Sequence, residues 1–219
     1  MRHYVVAGTT TGRAHLLSER PNQDAFRLLQ GEWGAAAAVC DGCGSEPGSG
    51  VGAALGASLA VNAAARRLKA GRPLDLEGLR REILSRLEAV AGVSGLPVRE
   101  YLLFTLLLAA VSDGHAWVLA CGDGLVRVDG VVRTLGPYPG NAPPYLAYGL
   151  LGGEAQLEIL HNGPASEIVI GTDGAAEIDL DSLISDGRIF NNPDLLRRRL
   201  KLARPSDDAT VAVLARRTL

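Results

Sequence analysis

The chain has 219 residues, 22 basic and 24 acidic side chains, and a formal net charge of -2. Its length suits one domain spanning 1–219, and 47% hydrophobic residues supply a sizeable core, which excludes general disorder. The near-neutral balance lacks the basic excess of a nucleic-acid binder, and three cysteines (Cys40, Cys43, Cys121) are too few for a disulfide framework.

The opening MRHYVV has no apolar run suited to a signal peptide. The longest apolar stretch, 101–111, is about half of what a membrane-spanning helix needs. The expectation is a soluble, reduced, cytoplasmic protein with neither nucleic acid nor membrane as partner.

In chain order, strands are predicted over 3–12, 24–30 and 34–40. A glycine-rich loop, 41–50, then leads to a helix over 49–69 with Ser49 as N-cap. A second helix is predicted over 75–90, where Leu76, Leu79, Ile83, Leu87 and Val90 form one stripe. Strands follow at 102–111, 116–120, 125–128 and 131–134, paired by turns at Asp113-Gly114 and Asp129-Gly130. Residues 136–153 read as an irregular loop. Strands at 155–160 and 167–172 come next, then a helix opened by Asn192-Pro193 and ending near Ala203, then a strand at 209–215. Hairpins outnumber crossover units, so the fold class is α+β with antiparallel sheets.

Six Asp-Gly pairs begin at Asp41, Asp113, Asp123, Asp129, Asp173 and Asp186. Turns account for Asp113, Asp129 and Asp186. Asp41 and Asp173 differ, because each ends a strongly apolar strand where a carboxylate is costly without a partner. A metal ion is one such partner, and the adjacent Gly lets an ion or substrate approach the backbone. Asp24 starts a strand, and Asp207 and Asp208 precede the last one. On residues alone, a metal site and scattered turns both remain open.

Competing signals are weaker. Cys40 and Cys43 have the spacing of a redox pair or half a zinc site, but no second pair accompanies them. Gly50, Gly52 and Gly56 hint at a dinucleotide loop, yet they lie well past the strand end, so close helix packing is the alternative. His3, His115 and His161 look unremarkable, whereas His15 lies in the loop leading to Asp24. The Arg197–Arg199 triplet reads as a solvated helix face.

Five segments in order resemble the PPM family, the metal-dependent type 2C protein phosphatases. They are Asn22-Gln23-Asp24-Ala25-Phe26, Val39-Cys40-Asp41-Gly42-Cys43-Gly44-Ser45, Cys121-Gly122-Asp123-Gly124, Gly171-Thr172-Asp173-Gly174 and Asp207-Asp208-Ala209-Thr210-Val211. The chain is similar to compact bacterial members, including the stage II sporulation protein E-like branch. The resemblance implies a four-layer α-β-β-α sandwich. It implies two Mn²⁺ or Mg²⁺ ions held by Asp24, Asp41, Gly42 (through its carbonyl), Asp173 and Asp207, with Asp123 and Asp173 able to hold a third. Asp24 and Asp41 would thereby serve catalysis. All-oxygen donors suit such hard cations.

The implied activity is hydrolysis of phosphoserine or phosphothreonine in a protein substrate that a serine/threonine kinase has modified. The rival is a catalytically inert module of the same fold that binds a partner. Two positions depart from the family pattern: Cys43 stands where a His often follows Asp-Gly, and Gln23 where Glu often precedes Asp. Water or His15 would then act as the acid. The family's phosphate-binding Arg would fall at Glu19; Arg20 is the expected substitute and Arg13 the reserve. The loop 136–153 is a candidate substrate flap.

Overall fold

The structure is a computed structural model that describes residues 2–154 and 156–217. It contains ten strands: β1 (Arg2–Thr10), β2 (Ala25–Gly31), β3 (Gly34–Cys40), β4 (Leu106–Ser112), β5 (His115–Cys121), β6 (Gly124–Val128), β7 (Val131–Leu135), β8 (Glu158–Gly163), β9 (Glu167–Gly171) and β10 (Ala209–Arg217). Six α-helices accompany them: α1 (Arg13–Leu17), α2 (Ser49–Lys69), α3 (Leu76–Ser94), α4 (Val98–Tyr101), α5 (Leu180–Ile184) and α6 (Pro193–Ala203). The strands form two antiparallel five-stranded sheets, ordered β1-β10-β9-β6-β7 and β2-β3-β4-β5-β8. The four-layer sandwich expected from the sequence is the one observed.

Strand β3 shows why the layers stack. Successive side chains of a strand point to opposite faces. Ala35, Ala37 and Val39 join Val111, Val118, Ile168, Ile170 and Leu214 between the two sheets. Ala36, Ala38 and Cys40 instead join Ala53, Ala57, Ala60 and Ala64 of α2, backed by Leu79, Ile83 and Leu87 of α3. A third apolar layer, with Val169, Val211, Leu183, Leu196 and Leu200, seats α5 and α6 on the other sheet. Small side chains on both β3 and α2 let helix and sheet approach closely.

That close approach settles the glycines of α2. A Cβ at Gly52 would lie 2.4 Å from the Tyr101 carbonyl oxygen, and one at Gly56 would lie 2.2 Å from the Phe104 ring. The packing role holds, and the dinucleotide loop does not.

Several elements depart from expectation. The N-cap of α2 is Gly48, not Ser49; the Ser49 hydroxyl donates instead to the Cys43 carbonyl and accepts from Gln23 Nε2. Helix α3 runs four residues past Val90 to a left-handed cap at Gly95. The strand expected from Leu102 begins at Leu106, because α4 occupies 98–101 and only an isolated bridge joins Gly42 to Phe104. The strand expected over 155–160 begins at Glu158, and Ala155 lies outside the described residues. His161 belongs to β8 rather than to a turn. Within 136–153, 3₁₀ turns form at Pro139–Asn141 and Leu146–Leu151. No helix among the described residues is long and apolar enough to cross a membrane.

Candidate metal centre and active-site cleft

Strand register assembles the acidic residues at one edge of the sandwich. Ala25 pairs with Cys40 across β2 and β3, so the next step outward sets Asp24 opposite Asp41. Leu125 pairs with Gly171 across β6 and β9, and the same register continued sets Asp123 opposite Asp173. Asp207 leads into β10, which pairs with β9 through Val211 and Gly171. Four strand ends and the β5–β6 corner thus converge.

Asp41, Gly42, Asp123, Asp173 and Asp207 line a cleft of about 520 Å³, together with His15, Cys43 and Arg99. Asp24 is buried beside Asp41. Its Oδ2 accepts a 2.7 Å hydrogen bond from the Thr172 hydroxyl, which in turn accepts from Thr210 N. Its Oδ1 is buried with no hydrogen-bond partner.

The titration of these groups reflects crowding of like charges. Burial pushes the Asp24 carboxyl up to about 7, with nearby Asp208 adding to the rise. Asp41 is raised well above the ordinary range by burial and by Asp24, Asp173 and Asp207. Asp123 is pushed up to about 6 by burial and by Asp173. Asp173 is raised by burial and by Asp207. No cation contributes to any of these four shifts.

The residues fit a divalent metal. An orphaned buried carboxylate oxygen on Asp24 and mutually repelling all-oxygen donors are what a hard cation satisfies. Gly42 adds a cradle: a Cβ there would lie 2.7 Å from the Ser49 hydroxyl and 3.0 Å from the Gln23 carbonyl oxygen.

Asp208 is occupied differently from Asp207. Its carboxylate accepts from Gly12 N (2.8 Å), Gln23 N (2.7 Å) and His15 Nδ1 (2.8 Å). His15, Asp207 and Asp208 offer ligand atoms within 4.8 Å of one another. With both Asp208 oxygens already accepting hydrogen bonds, the His15–Asp208 contact reads as an orienting pair, and Asp207 is left for the cleft. His15 sits on α1, which the sequence reading took for loop.

Neither expected phosphate-binding arginine, Arg20 or Arg13, is among the residues lining the cleft, and Arg13 lines a separate pocket. Arg99 is the one Arg among the cleft-lining residues. Sequence reasoning missed it because it sits on α4, just ahead of what read as a strand. Cys40 and Cys43 are not bridged to each other. Cys40 is buried, with its pKa well up through burial, while Cys43 lies at the cleft and its Sγ is 3.2 Å from the Ser45 hydroxyl.

The protein phosphatase 2C family model matches residues 11–214. The chain belongs to the protein phosphatase 2C family. Solved structures of this family share its fold. The catalytic domain of the serine/threonine phosphatase PstP, solved with two manganese ions, is 17% identical with a TM-score of 0.63, covering 97% of each chain. Stp1 from Staphylococcus aureus is 14% identical with a TM-score of 0.60, covering 98% of this chain and 95% of that one. RsbX in complex with magnesium is 15% identical with a TM-score of 0.62, covering 97% and 94%. No curated protein matches the chain. Both the phosphatase 2C fold and a donor set suited to Mn²⁺ or Mg²⁺ are therefore present.

Proposed function

We propose that this phosphatase 2C member hydrolyses phosphoserine and phosphothreonine in proteins, with the whole chain acting as one catalytic domain. The observation that carries this reading is the convergence of Asp24, Asp41, Asp123, Asp173 and Asp207 on one edge of the sandwich, where burial and neighbouring carboxylates raise the first four. Asp24, Asp41, Asp173, Asp207 and the Gly42 carbonyl would hold two Mn²⁺ or Mg²⁺ ions, and Asp123 with Asp173 would hold a third. Such ions, when bound, lower the pKa of water and offset charge on phosphoryl oxygens.

The chain's own groups do the rest. Thr172 fixes Asp24 Oδ2, leaving Oδ1 for a ligand. Arg99 lines the cleft in the role expected of Arg20 or Arg13, since a guanidinium pairs with phosphate in bidentate fashion. His15 takes the acid's role that Cys43 leaves open. Asp208 holds its Nδ1, so that a protonated ring offers the Nε2 proton to the leaving serine oxygen. A serine/threonine kinase must supply the phosphorylated substrate. The three free thiols fit a reducing compartment such as the cytoplasm.

Hydrolysis of a phosphoserine peptide should require Mn²⁺ or Mg²⁺ and stop with chelator. Arg99→Ala should raise KM by about tenfold, the scale of one charge-assisted hydrogen bond. Chelator-resistant turnover would refute the metal-dependent mechanism, and turnover absent with either metal would leave the inert module. For His15→Gln, the loss should be about 100-fold on the peptide and much smaller on p-nitrophenyl phosphate, whose leaving group needs no proton. Equal losses on both substrates would remove His15 from the acid's role.

A further inference from the structure

A second recess, larger than the metal cleft, lies outside it. It measures about 670 Å³ and is lined by Arg13, Arg197, Lys201 and Arg204, with Thr9 and Asn22 among the polar residues around them. Four cations therefore meet around one hollow in a chain whose net charge is -2. Arg197 is paired with Asp194 at 2.7 Å, and Arg13 acts on nearby Glu177. Lys201 and Arg204 form no ion pair among the described residues. Leu16 and Leu17, which also line the hollow, are 64% and 88% exposed and give it an apolar lip.

Covalent and hydrogen-bonded links tie this hollow to the metal cleft. Helix α1 carries Arg13 in the hollow and His15 in the cleft. Asn22 lines the hollow, donates to the Thr9 hydroxyl at 2.8 Å, and holds Asp24 N through its Oδ1 at 2.9 Å. Arg204 lies three residues before Asp207. Five residues of helix span about 7.5 Å, a distance an extended peptide covers in about two or three residues.

We propose that this hollow is a substrate subsite that takes an acidic segment of the phosphoprotein, with Asp or Glu side chains close in sequence to the phosphoserine. The inference rests on the phosphatase reading above. Charge complementarity names the ligand class, and the recessed shape favours a chain segment over a flat anionic surface.

The test uses two phosphoserine peptides, one flanked by Asp and Glu and one by Asn and Gln, with p-nitrophenyl phosphate as the small substrate. The acidic peptide should show a KM about tenfold lower at low salt, the scale of two or three exposed ion pairs. The double variant Lys201→Glu/Arg204→Gly should abolish that preference and leave kcat/KM on p-nitrophenyl phosphate unchanged. Glycine is chosen because Arg204 has a left-handed backbone.

Equal KM values in the wild type, or a preference that survives in the double variant, would overturn the subsite. So would a matching loss on p-nitrophenyl phosphate, which would make these residues supports of the cleft. Fluorescence anisotropy with the labelled, unphosphorylated acidic peptide reads the hollow without turnover. Binding that the double variant removes supports the subsite even if the wild type hydrolyses nothing, the result that would sink only the phosphatase reading. Binding to anionic lipid vesicles but not to the peptide would overturn it.

Discussion

The six Asp-Gly pairs divide into two groups by which end of the sandwich they occupy and what their carboxylates meet. Asp113 and Asp129 form hairpin turns with left-handed backbones, φ 48° and 46°. Asp129 Oδ1 accepts from Ser166 N and Glu167 N. Asp186 caps a short 3₁₀ helix and pairs with Arg188 and Arg199. Asp41, Asp123 and Asp173 stand at strand ends on the cleft edge, and their carboxyls are pushed up by burial and by one another. The dipeptide is therefore neutral as a signal. What separates the groups is the company the carboxylate keeps: Asp186 meets guanidiniums and Asp129 two amides, whereas Asp41, Asp123 and Asp173 crowd against other carboxylates. That crowding of like charges marks the site.

Conservative substitution should separate the two ends most sharply. Asp41→Asn removes a proposed metal donor at the point where three other carboxylates act on it. Metal contributions of several kcal/mol translate into roughly a 1000-fold or greater fall in kcat/KM. Asp113→Asn keeps a residue that tolerates the left-handed turn and should leave kcat/KM unchanged. Steady-state assays with saturating Mn²⁺ make the comparison. If both variants kept full activity, the two groups would not differ in the way argued.

The cleft aspartates were legible because each interrupts or borders an apolar run, and strand register then needed no further information to gather them. Asp24 and Asp41 became neighbours through the β2–β3 hairpin alone. Helix α1 was not legible: it has five residues and no side-chain cap, and its first turn is held by Arg13 N on the Pro205 carbonyl and Ala14 N on the Ser206 carbonyl. Those contacts cross almost the whole chain, so no local pattern encodes them. Asp208 has the same history, since its three donors lie near the other terminus. Arg99 escaped because α4 is four residues long. The segment that follows it is fixed by Cys43 N on the Leu103 carbonyl and Thr105 N on the Asp41 carbonyl.

The cleft carboxylates and Asp186 should also respond to pH with opposite sign. Asp24 and Asp123 titrate at about 7 and about 6 when folded, against an ordinary 3.8, and Asp41 and Asp173 are raised too. Between about pH 4 and 7 the folded state therefore holds protons that the unfolded chain has released. Stability from Asp24 and Asp123 is full below pH 4 and is lost as pH rises through 7, and Asp41 and Asp173 act in the same direction. Asp186, lowered by its hydrogen bonds and charge pairing with Arg188, contributes in the other direction, above the ordinary carboxylate range, and loses its effect on acidification. Because Asp186 is paired at the surface with an exposed Arg188, its share is small. In chelator, Tm should be about 5 °C higher at pH 5 than at pH 7.5, given about 2–4 °C per kcal/mol at this size. Added Mn²⁺ should remove the deficit at pH 7.5, because it binds the folded state and replaces the protons. A chelated Tm that stays flat or rises between those pH values would contradict the crowding of the cleft carboxylates.

The smallest effect belongs to the turn end, and it tests whether those aspartates have a purely local role. Asp129→Ala would remove the acceptor for Ser166 N and Glu167 N and place a Cβ-bearing residue without a turn-forming side chain at φ 46°. Both amides sit at the entrance of β9 and are exposed enough for water to replace the lost acceptor, so the cost should be about 1 kcal/mol, or a Tm lower by roughly 2–4 °C. Asp129→Asn keeps an acceptor oxygen and a residue at home in the left-handed region, so it should recover most of that loss. Neither change should alter metal-dependent kcat/KM, because β6 and β9 are held in register by four paired residues between this turn and the cleft edge. If Asp129→Ala instead lowered activity as far as Asp41→Asn does, the turn would be coupled to the site through β9, and the separation of the two ends would fail at the strand they share.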